Sequence, residues 1–537
     1  MSNRIFSQVK VNRPKRNVFD LSHENKLSMN MGKLVPILCQ EVVPGDSFRM
    51  NTEVFIRMAP MVAPVMHRIN VYTHFFFVPN RLVWDKWKDF ITGGNNPGEV
   101  VPFPAIPVNL TVRSKISSGT LGDYLGIQAS TGLTNPNGDV KISSLPFRAY
   151  QLIYNEFYRD QNLQNPIDFS IGDYSSADEN SLLTLRDRCW EKDYFTSALP
   201  WAQKGGDVTL PGAGGEVVLK SGPLNPTIVV GRGASHPAIP SASNFVSSNP
   251  QSAQAGTLNH SGVYQGDANN VVLDPNGNYV IGEGSGSTIN DLRRSIKVQE
   301  WLERNARGGS RYIEQILSHF GVRSSDARLQ RPEYLGGGKS PVVISEVLQT
   351  SQTEQSGTPQ GNMSGHGVAV GNSHSFKKFF EEHGYIIGIM SVLPRTAYMT
   401  GLPRHFSKFD RFDYFWPSFA HLGEQEVKNK EIACDFAQHA ATFPPEGTFG
   451  YQSRYAEYKF GQSQVHGEFR NSLKFWHMGR SFDFPNTIPA LNSDFVTAQP
   501  TNDIFAVTDP NVHHLYVQLF NNIQAIRPMP KFGTPIL

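Results

Sequence analysis

The sequence predicts a mainly β protein whose strands are separated by long irregular insertions, and three observations carry that prediction. The 537 residues include 47 glycines and 36 prolines, the residues that punctuate a chain which turns often. Phenylalanine supplies 35 residues against 18 tyrosines and 7 tryptophans, a bias toward side chains that suit pleated surfaces. From Ile69 to Val78 apolar residues occupy both faces of an alternating segment, with Ile69, Val71, Phe75 and Phe77 on one side and Tyr72, Phe76 and Val78 on the other. Such a segment is a strand buried in a sandwich core.

Length admits two to four domains, or one large β domain with insertions. Hydrophobic residues at 39% suffice for a sizeable core, while charged residues reach only 18%, below the ~25% usual in soluble proteins. The formal charge is +2, so no global field draws the chain to nucleic acid or membrane, and any polyanion contact has to be local. Cys39, Cys189 and Cys434 lack paired spacing, which suggests buried thiols and neither a disulfide framework nor a zinc site. The start carries no apolar signal region, and the apolar run near Tyr385–Leu393 is too short to span a bilayer. A soluble protein made in the cytosol, with no membrane insertion, is expected.

Taken in order, residues 1–30 read as a basic arm, with Arg4, Lys10, Arg13, Lys15 and Arg16 and no acidic residue up to that point. Residues 31–203 hold the first strands, interrupted by short helices at Leu82–Ile91 and Phe147–Tyr158, each with an apolar stripe at helical spacing. Residues 204–290 contain 15 glycines, eight charged residues and no tryptophan, too little to anchor a main core. Short apolar runs at Val217–Leu219, Thr227–Val230 and Val271–Leu273 mark small strands in an inserted surface subdomain. Residues 291–375 are expected to be helical and loop-rich: Leu292–Arg307 and Tyr312–Phe320 as helices, Gly321 as a stop, and loops over Gly336–Ser373. Residues 376–537 are expected to be strand-dominated, from Tyr385–Val392 to a closing strand at Val512–Ile526, with Arg527 and Lys531 in a basic tail. No repeat of fixed period is present.

Catalytic signatures are scarce. Gly336-Gly337-Gly338-Lys339-Ser340 resembles the end of a phosphate loop, but Glu333 stands where the leading glycine belongs, so an ordinary glycine loop is the better reading. Gly461-Gln462-Ser463-Gln464 starts like a nucleophile elbow and fails at Val465, where the strained turn requires glycine. His513 and His514 are adjacent, which sends their side chains to opposite faces of a strand instead of to one metal. No catalytic, cofactor-binding or metal-binding residue is assigned.

Basic and aromatic residues interleave over Arg404, Phe406, Lys408, Phe409, Arg411 and Phe412, and again over Arg454, Tyr455, Tyr458, Lys459, Arg470, Lys474, Phe475 and Trp476. Stacking plus positive charge suits single-stranded nucleic acid. The same residue types mark the centres of protein interfaces, and an aromatic core with a subunit interface is the preferred reading. The two chain ends are the cleaner nucleic-acid candidates, since no acidic residue follows Asp509.

Several motifs together carry a resemblance: Asn12-Arg13-Pro14, Asp20-Leu21-Ser22, Val43-Pro44-Gly45-Asp46, Met58-Ala59-Pro60-Met61, Tyr72 to Arg81, and Tyr334-Leu335-Gly336-Gly337. Gly401-Leu402-Pro403-Arg404, Arg411 to Pro417 and Arg454 to Lys459 extend it over nearly the whole chain outside residues 204–290. The set resembles the major capsid proteins of gokushoviruses, within the Microviridae.

That resemblance implies an eight-stranded antiparallel jelly roll, the viral capsid β-sandwich, with long inter-strand insertions containing short helices. It implies self-assembly into a T=1 icosahedral shell around circular single-stranded DNA, with the insertion projecting at the threefold axes toward a host receptor. Internal scaffolding and DNA pilot proteins of the phage are the further partners implied, and no enzymatic activity or cofactor is. Nucleic-acid contact is expected from Arg4, Lys10, Arg13, Lys15, Arg16, Arg527 and Lys531, facing the shell interior. The competing class is a secreted or cell-surface jelly roll that binds or cleaves glycans, because fold does not fix function.

Overall fold

The computed structural model describes residues 15–94, 100–127, 140–206, 208, 229–230, 271–272, 289–348, 363–434, 443–482 and 488–532. By internal contacts the chain divides into two compact units, Gly205–Leu302 and the remainder.

The larger unit is built on two antiparallel sheets. Its strands are β1 (Asn17–Asp20), β2 (His23–Met29), β3 (Val35–Val42), β4 (Ser47–Met58) and β5 (Ile69–Pro79), then the small pair β6 (Ala105–Pro107) and β7 (Lys141–Ser143). In the smaller unit β8 (Val229–Val230) and β9 (Val271–Val272) pair antiparallel. The larger unit resumes with β10 (Glu333–Pro341), β11 (Val343–Leu348), β12 (Met363–Phe379), β13 (Gly384–Pro394), β14 (Glu424–Lys428), β15 (Thr448–Ser453) and β16 (Leu515–Arg527). One main sheet runs β1–β16–β4–β12–β11, with β2 also on β16; the other runs β10–β5–β13–β3.

Alternation explains the first sheet. In β4 and β16 every second residue is buried: Phe48, Met50, Val54, Ile56 and Met58 on one strand, Leu515, Val517, Leu519, Ile523 and Ala525 on the other. Their outer faces remain in solvent. These inner residues share one core with Val35, Ile37, Ile69, Val71, Phe75, Phe77, Ile386, Met390 and Val392 of the second sheet. Phe380 fastens the two layers, with its ring 4.7 Å from Phe77 and 5.8 Å from Phe48.

The second sheet is covered on both sides. Phe76, Val78, Ile387 and Ile389 on its far face pack against Trp84, Leu145, Phe147, Tyr150 and Ile153. The helix Leu145–Ile153, continued by one π turn over Tyr154–Tyr158, ties to the sandwich where the Tyr150 hydroxyl donates to the Leu34 carbonyl at 2.8 Å. Double coverage is why β5 is buried along nearly its whole length.

The two sheets form a jelly-roll sandwich that does not close into a barrel. Ten strands make them up, but Val342 alone separates β10 from β11, and Leu21 and Ser22 alone separate β1 from β2. Counting each of those pairs as one pass of chain gives eight passes.

The structure corrects four expectations. Within the arm expected over residues 1–30, β1 and β2 are strands, because their backbones pair with β16 while most of their side chains face solvent or are only partly buried. Gly336–Gly338 is no loop: it lies in β10 against β5, and a Cβ on Gly337 would stand 2.2 Å from the Thr73 carbonyl oxygen. Glycine there permits close approach of two strands. Residues 291–375 therefore include sandwich strands besides the helices Ile289–Arg307 and Tyr312–Phe320. Between Pro394 and Leu515 the described chain is not strand-dominated; it makes the antiparallel β14–β15 pair and short helical turns, and its Tyr398, Phe449 and Phe495 form a side core with Tyr194 and Phe195. Smaller differences are that Leu82–Ile91 is split into Asn80–Val83 and Trp87–Thr92, and that the three cysteines are half-buried. The run Val217–Leu219 lies outside the described residues.

Candidate functional site

The described residues nearest the two ends of the chain meet at one corner of the first sheet. Asn17 is the register partner of Arg527, and its side-chain amide donates to the Met529 carbonyl at 2.6 Å. The turn Val43-Pro44-Gly45-Asp46 sits beside them, with Gly45 in the left-handed region at φ +92° and Pro528 packed against it. Asp46 has no exposed surface. Its carboxylate accepts from the Val43 N–H at 3.0 Å and lies 3.4 Å from the Arg527 guanidinium. Burial pushes the Asp46 carboxyl above its ordinary range, against the opposing pull of the Val43 N–H, Arg527 and Arg16.

Of the cations expected to meet DNA, Lys15, Arg16 and Lys531 are exposed, and Arg16 lies over the Phe379 ring at 5.1 Å. Arg527 is instead committed to protein: besides Asp46, it donates to the Glu41 carbonyl at 2.7 Å and covers the Phe48 ring at 5.3 Å. It is the last residue of β16, not part of a loose tail. Arg4, Lys10 and Arg13 lie outside the described residues.

The interleaved basic and aromatic segments separate into two kinds. In the first, the cations are met internally. Arg404 pairs with Glu431 at 3.1 Å and donates to the Glu426 carbonyl, while Lys408 pairs with Glu457 at 2.9 Å and lies 4.0 Å from the Tyr458 ring centre. Burial holds the Glu431 carboxyl above its usual range despite Arg404. In the second, Arg470 and Lys474 are exposed, and neither forms an ion pair among the described residues. They line a cleft of about 410 Å³ with Met399, Thr400, Gly467, Asn471 and Ser481. Two unspent cations beside amide and hydroxyl groups suit phosphate oxygens.

Nothing comparable supports catalysis. Among the described residues no three His, Cys, Asp or Glu side chains gather as a metal site, and no helix is long and apolar enough to cross a membrane. Ser463 borders a cavity of about 40 Å³, room for water but far below the several hundred Å³ of a ligand pocket. His514 is a satisfied core residue, stacked on Phe505 at 4.5 Å and bonded to Asn30 and the Val507 carbonyl, while His513 bonds to Ser28.

Sequence reasoning found the basic ends and missed Asp46, Glu431 and Glu457, the carboxylates that decide which cations are spent. The only local signal was Val43-Pro44-Gly45-Asp46, a turn placing an acid at the start of an alternating strand.

Comparison with known proteins decides the class of molecule. A family model described as "Capsid protein (F protein)" matches residues 7–537. The chain belongs to this phage capsid family. The capsid protein VP1 of Chlamydia phage 1 is 36% identical across all of this chain and 98% of its own. VP1 of Bdellovibrio phage phiMH2K is 36% identical over 99% of this chain and 97% of its own, and VP1 of Spiroplasma virus 4 is 31% identical over the same shares. This capsid protein is thus a structural major capsid protein of the gokushovirus type, and its jelly roll is that of a shell subunit. The glycan-binding alternative rested on the fold alone, and the family overrides it.

Proposed function

We propose that this capsid protein assembles into a T=1 icosahedral shell around a circular single-stranded DNA genome, with both chain ends on the inner surface. The observation that carries the reading is the common corner: Asn17 and Arg527 are paired and Met529 is bonded back to Asn17, so both basic ends leave the sandwich side by side. Arg4, Lys10, Arg13, Lys15, Arg16 and Lys531 then contact phosphate, and Arg527 anchors the segment that carries Lys531. Contact of this kind is non-specific and falls steeply as salt rises. Arg470 and Lys474 add a second phosphate contact at their cleft.

Residues 204–290 are the outward protrusion that meets the host receptor; their low charge suits packing against symmetry mates. The separation of Gly205–Leu302 as its own compact unit supports this. Assembly proceeds with the phage's internal scaffolding and DNA pilot proteins, in the host cytoplasm, and the shell has no enzymatic activity.

Replacing the six terminal cations by glutamine tests the DNA role: particles should form and lose genome as salt is raised, and unchanged retention would refute it. Deleting residues 209–287 should leave shells assembling while attachment fails; failed assembly would count against an outward position.

A further inference from the structure

We propose that the aromatic lobe formed by residues 403–422 and 454–460 is a contact surface for a second copy of this chain, an inference that rests on the capsid reading above. Phe409 is 88% exposed and Phe406 63%, while Tyr414, Phe415, Trp416 and Tyr458 are each about half exposed. At ~200 Å² per aromatic side chain these six present on the order of 700 Å² to solvent. The largest apolar patch on a monomer is typically about 300–600 Å², and one side of a standard protein interface is about 800 Å². The summed exposure of these six residues lies above the usual largest patch of a monomer and close to what one partner contributes to an interface.

The rings are held outward by their own framework. The backbone N–H groups of Phe409 and Asp410 donate to Asp413 at 3.0 and 2.9 Å, and the Trp416 indole donates to the Arg411 carbonyl at 2.9 Å. Phe415 packs edge-on to Tyr455 at 5.0 Å, and the Lys408–Glu457 pair lies nearly buried beneath, with Lys408 between Tyr414 and Tyr458. An aromatic surface fixed in place before binding loses little conformational entropy on docking.

Charge points to protein and away from nucleic acid. Lys408, which lies against the Tyr414 and Tyr458 rings, is spent on Glu457, and Arg404 is spent on Glu431. At the rim the exposed charges are Arg411 and Lys459 against Asp410 and Asp413, and the half-buried Arg454 lies over the Tyr455 ring at 5.0 Å, so the rim carries both signs and no run of exposed cations that would favour a polyanion. Apolar rings inside a rim of both signs are the make-up of a protein interface.

The test compares the full-length wild type with Phe409→Asp, Phe406→Asp and the conservative Phe409→Trp, each produced together with the phage's internal scaffolding protein, by sedimentation and electron microscopy, with thermal melting of the purified subunit as the folding control. Both positions are so exposed that the monomer's melting temperature should not move. The expected result is that the wild type and Phe409→Trp form closed particles, while each aspartate variant stays folded and needs at least tenfold more protein to assemble. Folded aspartate variants that assemble at wild-type concentration overturn the proposal. So do variants that assemble normally but lose packaged DNA, which would assign the rings to base stacking. A wild type that forms no particle or ring overturns the capsid reading underneath, an outcome distinct from either.

Discussion

Arg527 lies 3.4 Å from Asp46, so the last residue of the closing strand neutralises a carboxylate buried in the turn that begins β4. The pair locks the end of the chain to its beginning, since β1 adds to β16 at the same place. The contact therefore fixes this corner of the first sheet.

Removing the cation should expose that dependence. Arg527→Met is expected to destabilise the protein by about 3 kcal/mol at neutral pH, the low end for stranding a buried charge, because Arg527 keeps some exposure. The Asp46 pKa is raised above its ordinary 3.8, so its contribution is most favourable when protonated and is lost as pH rises through the folded-state value. Without Arg527 that value climbs further. Urea unfolding should therefore show the gap between variant and wild type narrowing as pH falls toward 4; a gap independent of pH would contradict the assignment.

Gly337→Ala should weaken the join between β10 and β5. A Cβ placed 2.2 Å from the Thr73 carbonyl oxygen forces the strands apart, at roughly 1–3 kcal/mol for overpacking. Thermal unfolding of the purified subunit reads this directly, and an unchanged melting temperature would mean that the strands can separate freely there.

How far the sequence revealed the fold follows from where the information lay. Ile69–Val78 was legible because its apolar residues line both faces, and Tyr312–Phe320 because its stripe ends at Gly321. β10 was not, since its glycines carry no side chain to report a face and their reason is the Thr73 carbonyl of a strand far away in sequence. β1 and β2 read as polar arm because pairing through backbone leaves little trace in side chains. The same holds for the site: residue type identified the cations, but only the fold brings Glu431 to Arg404, Glu457 to Lys408 and Asp46 to Arg527, while leaving Arg470 and Lys474 exposed.

Those last two cations should be felt by DNA. Arg470→Gln with Lys474→Gln is expected to leave assembly and melting unchanged and to flatten the logarithmic salt dependence of single-strand binding by about 1.4, at ~0.7 per charge. Titration of a fluorescent oligonucleotide against salt would measure it. An unaltered slope would remove the cleft from the DNA-contacting surface.

Deletion of residues 2–14, which removes Arg4, Lys10 and Arg13, should spare the fold, because β1 begins only at Asn17. The same titration is expected to lose about 2 from its slope, again at ~0.7 per charge. A loss of folding instead of DNA affinity would show that the segment belongs to the sandwich.

The central claim, that this chain is the building block of a closed shell, is tested most directly by electron microscopy of the full-length protein produced together with the phage's internal scaffolding protein. Uniform closed particles, or the rings and pentamers that precede them, are the predicted result. A protein that stays monomeric at every concentration and salt would contradict it.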